Sequence, residues 1–119
     1  MKKVMVVEDS SLMLNIIRTF IITEEPSIKV IPAHSGEESI DLYKQELPDL
    51  VLMDLMMPGM DGITALTEIK KINPSARVIV CTALSDPEHQ IIAKKAGCID
   101  FIIKPFTKKN LLDTIKKNL

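Results

Sequence analysis

No apolar stretch in this chain of 119 residues approaches the roughly 20 residues that a membrane-spanning helix needs. The N-terminus, Met1-Lys2-Lys3 followed by only four apolar residues, is too short for a secretory signal. Neither charge predominates: 15 Lys and Arg stand against 16 Asp and Glu, a net charge of −1, so the broad attraction that draws a protein to nucleic acid or an anionic membrane is missing. The chain has two cysteines, Cys81 and Cys98, at a spacing that fits no metal or redox motif. Cys81 closes an apolar run and Cys98 follows Ala96-Gly97, so both read as buried or half-buried free thiols in a reducing cytoplasm. His34 and His89 match no catalytic or metal spacing and are expected on a loop and a helix surface. A soluble, cytoplasmic protein is expected, without nucleic acid or membrane as partner.

What is present is 46% hydrophobic content in a length suited to one domain, residues 1–119. Four apolar runs each stop at a polar residue: Val4–Val7 at Glu8-Asp9, Leu50–Met53 at Asp54, Val78–Cys81 at Thr82, and Phe101–Ile103 at Lys104. As neighbouring strands of a parallel sheet, their carboxyl ends would share the edge at which open α/β folds bind ligands.

Helix-length amphipathic segments alternate with these runs, the rhythm of a doubly wound sheet. Ser11–Thr23 places Leu12, Ile16 and Phe20 at helical spacing, with Asp9 or Ser10 as its cap. Ile28–Ile31 reads as a short edge strand, since it carries Lys29 and is followed by Pro32. Ser35-x-x-Glu38 is a capping box for a helix through about Gln45, with Ile40 and Tyr43 inward. Pro58, Gly59 and Gly62 suit tight turns in the next loop, which leads into a helix carrying Ile63, Leu66, Ile69 and Ile72. Asn73-Pro74 stops that helix. Asp86 caps a helix with Pro87 at its first position and Gly97 at its end, and Thr107 caps a last helix to Asn118. The expectation is a flavodoxin-like (βα)5 three-layer sandwich: five parallel strands in the order 2-1-3-4-5, with the uncommitted second strand at the edge.

At the shared edge, Glu8, Asp9 and Asp54 would repel one another and raise each other's pKa unless a cation joined them. Acidic oxygen donors without nearby His or Cys favour Mg²⁺ or Mn²⁺ over zinc, and Mg²⁺ commonly completes its shell with water and a phosphate oxygen. Lys104 supplies a positive charge and Thr82 a donor, while an aspartate is a competent nucleophile toward phosphorus.

Val7-Glu8-Asp9-Ser10, Asp54 with Met56-Met57-Pro58-Gly59-Met60-Asp61-Gly62, Thr82-Ala83 and Lys104-Pro105-Phe106 together resemble the motifs of response-regulator receiver domains, the phospho-acceptor modules of two-component signalling. The resemblance runs from Val4 through the last helix. It implies that Asp54 accepts phosphoryl from a histidine kinase or histidine phosphotransfer protein, and that Asp9, Asp54 and the Met56 backbone carbonyl ligate Mg²⁺, with Glu8 holding it through water. It further implies that Lys104 and Thr82 bind the phosphoryl group, and that Lys104-Pro105 is a cis peptide. Phe101 stands where many members have Tyr, which leaves a switch ring without a hydroxyl. Met56 and Leu84 flank the acceptor with apolar side chains that cannot orient an attacking water, so slow self-hydrolysis is expected.

The resemblance also implies a readout on the face formed by the fourth helix, fifth strand and fifth helix, where the chain offers Lys94, Lys95, Phe101, Lys108, Lys109 and Leu112 to an acidic partner, a motor switch protein or a second copy of the domain. The sequence ends at the fifth helix, so a stand-alone, chemotaxis-type regulator is expected; a phosphorelay intermediate or a receiver cut from a larger regulator would carry the same site residues. Two other classes fit less well. A Mg²⁺-dependent phosphohydrolase would want an acid two residues after Asp54, where Met56 stands, and a flavodoxin-like cofactor binder would not place the acidic, glycine-free Glu8-Asp9-Ser10-Ser11 against a phosphate. A switch is expected rather than an enzyme.

Overall fold

The computed structural model describes residues 1–119. In chain order the elements are β1 (Lys3–Val7), α1 (Ser11–Glu24), β2 (Lys29–Ala33), α2 (Gly36–Glu46), β3 (Leu50–Met53), α3 (Gly62–Ile72), β4 (Val78–Thr82), α4 (Pro87–Ala96), β5 (Asp100–Ile103) and α5 (Lys108–Asn118). The strands pair in parallel in the order β2-β1-β3-β4-β5, the order expected from the sequence.

Side chains of a strand alternate between faces, and that alternation builds two cores from one sheet. Met5, Val7, Val51, Met53, Val78 and Val80 point to the side where Tyr43 of α2, Leu66 and Ile69 of α3, and Ala93 of α4 close over them. Val4, Val6, Leu50, Leu52, Ile79, Cys81 and Ile102 point the other way, under Leu14, Ile17 and Ile21 of α1 and Leu111 and Ile115 of α5. Because β1, β3 and β4 are covered on both faces, their stretches Val4–Val7, Leu50–Met53 and Val78–Cys81 run apolar without interruption.

Capping follows the chemistry of the sequence: Ser10, Ser35, Asp61, Asp86 and Thr107 each accept a hydrogen bond from a backbone N–H three residues on. Gly97 ends α4 at φ 108°, a left-handed conformation in which glycine has no Cβ to strain.

Three expectations need correction. The first helix presents Leu14, Ile17 and Ile21 to the sheet, while Leu12 is 74% exposed and Ile16 and Phe20 are only half-buried. Both apolar series have helical spacing, and the direction in which the loop from β1 delivers the chain decides between them. Ile72 of α3 is likewise exposed. The second strand runs to Ala33 and includes Pro32, which pairs in register with Val6. β2 is the sheet's edge strand, so the absent proline N–H leaves no interior ladder position unfilled.

Candidate functional site

Glu8, Asp54 and Lys104 sit one step beyond their strands, Thr82 at the end of β4 and Asp9 two steps beyond β1, and for the first three the ladder extends to fix the backbone. The Glu8 N–H donates to Ala33 O at 2.9 Å, the Asp54 N–H to Val7 O at 3.2 Å, and the Lys104 N–H to Thr82 O at 2.8 Å. The Lys104–Pro105 peptide is cis. The loop after β3 is drawn in by Gly62, where a Cβ would lie 2.1 Å from the Asp54 carbonyl oxygen, a place no side chain can fill.

Ligand oxygens of Glu8, Asp9 and Asp54 all lie within 4.8 Å of one another. Glu8 and Asp54 are buried and Asp9 is exposed. Lys104 Nζ bridges the two buried acids, donating to Glu8 Oε1 and to Asp54 Oδ2, the latter at 3.0 Å. The second oxygen of each acid takes a backbone donor: the Ser10 N–H at 3.1 Å on Glu8, and the Met56 N–H at 3.0 Å on Asp54. Asp9 therefore remains the carboxylate most open to an incoming cation.

Burial pushes the Glu8 carboxyl above its ordinary pKa, against the hydrogen bonds from Lys104 and Ser10, and the nearby Asp54 charge adds to the rise. Burial also works against the Lys104 ammonium, but the hydrogen bonds to Glu8 and Asp54 outweigh it and hold the amine above its ordinary value. When all are ionised, three carboxylates against one ammonium leave two negative charges unbalanced, the amount a single divalent cation cancels. The donors are hard oxygens with no imidazole or thiolate among them, so the cluster fits a divalent metal of the Mg²⁺ type.

Thr82 is fully buried, and its hydroxyl accepts the Leu84 N–H at 3.4 Å. Leu84 is half-buried, whereas Met56 is 55% exposed beside Asp54. Phe101 pairs in register with Val80 and packs, half-buried, against the core under α2, α3 and α4. With Gln90, Lys94, Cys98, Ile99 and Asp100 it lines a groove of about 280 Å³, and Lys95 is exposed on the same helix, α4.

The α5 residues expected on that face lie elsewhere. Lys108, Lys109 and Leu112 line a separate groove of about 360 Å³ with Glu24 of α1. Lys108 Nζ is 3.6 Å from Glu24 and 5.9 Å from the centroid of the Phe20 ring, and Leu112 is buried. The rotation of α5 is the reason. Leu111 and Ile115 face the sheet, which turns positions 108 and 112 toward α1, and it is Lys117, 3.5 Å from Asp100, that lies toward β5. Ile91 and Ile92 of α4, and Ile99 in the connection to β5, are exposed as well, and no motif in the sequence singles them out.

Residues 4–116 match the response regulator receiver domain. The chain belongs to the response regulator receiver family. The chemotaxis protein CheY of Bacillus subtilis is 40% identical over 117 residues, spanning 98% of this chain and 97% of the relative. That of Halobacterium salinarum is 42% identical over 114 residues, spanning 96% and 93%. Among solved structures, a CheY-like receiver domain from Methanospirillum hungatei superposes with a TM-score of 0.92 at 26% identity, covering 98% of this chain and 92% of that one. The CheX-CheY-BeF3-Mg²⁺ complex of Borrelia burgdorferi gives 0.91 at 30% identity, covering 98% and 87%. As a CheY-like receiver domain the chain is a two-component phospho-acceptor. No helix of this receiver domain is long and apolar enough to cross a membrane.

Proposed function

We propose that Asp54 is the residue that takes the phosphoryl group, from a histidine kinase or histidine phosphotransfer protein, and that the phosphorylated domain changes its partner binding in a chemotaxis pathway. The observation that carries this reading is the convergence of Lys104 on Asp54 and Glu8, with Asp9 open beside them. An Asp54 carboxylate oxygen forms the new O–P bond as the N–P bond of the phosphohistidine breaks, its electron pair staying on the leaving imidazole. Lys104 already touches Asp54 Oδ2, so a phosphoryl group on that carboxylate arrives within reach of the ammonium. Thr82 would exchange its bond with the Leu84 amide for one to a phosphoryl oxygen, which pulls on the loop between β4 and α4 and gives Phe101 room to repack.

Mg²⁺, with Mn²⁺ as a substitute, would be held by Asp9, Asp54 and the Met56 backbone carbonyl, with Glu8 acting through water. When bound, it neutralises charge where the phosphoryl group enters. A Borrelia burgdorferi relative captured with BeF3 and Mg²⁺ supports this choice. The readout face is the groove around Phe101 and Lys94, bordered by Lys95 and by exposed Ile91 and Ile99, and the target is a motor switch protein, a reading supported by the likeness to chemotaxis proteins. Homodimerisation through the same face is the alternative use of it. The domain acts in the cytoplasm as a switch, and its only chemistry is its own phosphorylation and slow dephosphorylation.

The test is incubation with acetyl phosphate with and without Mg²⁺, read by intact mass. Addition of one phosphoryl group that needs Mg²⁺, is removed by hydroxylamine and is lost in Asp54→Asn is the expected result. Labelling that persists in Asp54→Asn would overturn the assignment.

A further inference from the structure

The loop from β3 to α3 leans on a part of the fold that has no place in the acceptor chemistry, the first turn of α2. The Met60 N–H donates to Glu37 Oε1 at 3.4 Å. A Cβ on Gly36 would lie 3.0 Å from the Met60 carbonyl oxygen, and a Cβ on Gly59 would lie 3.2 Å from Glu37 Oε2. Gly59 adopts φ +77°, so the loop turns there in a conformation that L side chains rarely adopt, and the turn brings it against the Glu37 carboxylate.

The two ends of this loop are tied by the site and by the next helix. At one end the Met56 N–H donates to Asp54 Oδ1, and at the other Asp61 Oδ1 accepts the Thr64 N–H at 2.8 Å to cap α3. Between them, the polar tie from the loop to the rest of the fold is the one between Met60 and Glu37. A tethered loop presents its backbone groups already ordered, whereas an untethered one must lose that freedom when a ligand binds, and the loss appears as weaker affinity.

We infer that Glu37 is a positioning residue for the metal: by holding Met60 and Gly59 it fixes the loop whose first residues carry the Met56 carbonyl. The inference rests on the Mg²⁺ reading given above. Glu37 also carries a negative charge, which would attract a cation at a distance, so the hydrogen bond and the charge have to be separated. Glu37→Gln keeps an acceptor for the Met60 N–H and removes the charge; Glu37→Ala removes both. Glu38→Ala is the control, because Glu38 carries the same charge one residue on but faces His34, 3.7 Å away, rather than the loop. Both positions are on the surface of α2, so the three variants should fold.

Isothermal titration of Mg²⁺ into metal-free protein at fixed ionic strength, with hydrogen exchange of the Met60 amide as a second readout, decides the matter. Glu37→Ala should raise the Mg²⁺ dissociation constant about three- to tenfold, the range set by loss of one ordinary hydrogen bond, and should speed exchange at Met60. Glu37→Gln and Glu38→Ala should stay within about twofold of the parent. At saturating Mg²⁺, acetyl phosphate should label Glu37→Ala as fully as the parent. An unchanged affinity in Glu37→Ala overturns the inference, as does an equal loss in Glu37→Gln or Glu38→Ala, which would make the effect one of charge. If the parent protein itself takes up no Mg²⁺, the metal reading falls, and the inference with it.

Discussion

Replacing Lys104 by Met tests whether one ammonium holds two buried acids together. The Lys104 side chain is 14% exposed, and those of Glu8 and Asp54 are 3% and 7% exposed, so solvent screens little of the interaction. Methionine keeps the length and packing of the chain but leaves both carboxylates without their cation, and breaking a buried ion pair from one side costs on the order of 3–5 kcal/mol. The backbone donors at Ser10 and Met56 stay in place, which puts the expected loss at the lower end, about 3 kcal/mol at pH 8. The loss should depend on pH in a definite direction. Glu8 already has a folded-state pKa raised above its ordinary 4.5, so the folded state binds protons more readily there and stability falls as pH rises from that value through the folded pKa. Without Lys104 that pKa climbs further and the window widens upward. The penalty should therefore be smaller at pH 5 than at pH 8, because the folded variant takes up a proton at Glu8 more readily as pH falls. The chain has no tryptophan, so urea unfolding is best followed by far-ultraviolet circular dichroism in metal-free buffer. With a slope of about 2 kcal/mol per molar urea, the midpoint at pH 8 should fall by about 1.5 M, and Mg²⁺ should restore part of it. A fall below about 0.5 M, or the same fall at pH 5 and pH 8, would refute the idea that Lys104 compensates buried charge.

Three further perturbations probe the surroundings. Gly62→Ala sets a Cβ against the Asp54–Leu55 backbone, 2.1 Å from the Asp54 carbonyl oxygen and 2.7 Å from Leu55 Cα, and should cost about 3 kcal/mol or more in urea unfolding because neither neighbour is a flexible side chain. Leu14→Ala should cost about 2–4 kcal/mol and Leu12→Ala less than about 0.5, a pair whose reversal would show α1 turned the other way. Met56→Asn combined with Leu84→Glu, which places polar groups beside the acceptor, should shorten the lifetime of the aspartyl phosphate by about tenfold in a radiolabel decay assay, and an unchanged lifetime would remove those two side chains as the controlling pair.

The strand-end residues were legible because chemistry and position coincide in a parallel sheet. An apolar run buried on both faces must stop where the chain leaves the sheet, and the polar residue at each stop marks the edge to which the ligand comes. Glu8, Asp9, Asp54, Thr82 and Lys104 could thus be named in advance, as could the caps Ser35, Asp86 and Thr107, since a cap involves only residues three apart. The α5 face was misplaced because helical spacing fixes which residues share a side but not the rotation of that side about the sheet. Lys108 and Leu112 share a side of α5, but the burial of Leu111 and Ile115 turns it toward α1. The same ambiguity inverted α1, where Leu12 and Leu14 head two equally apolar series.

Local sequence by itself determined the alternation of elements, their caps and the residue types at the acidic edge, because each depends on neighbours within one turn or one strand. Only the tertiary structure decided that Lys104, distant in sequence, bridges Glu8 and Asp54, that both oxygens of Glu8 are engaged while Asp9 stays open, and that Glu37 of α2 meets the loop beside the acceptor. Those contacts depend on the order of the strands and on how far each loop travels across the sheet edge, quantities that close packing of the whole domain sets and that no spacing within a segment encodes.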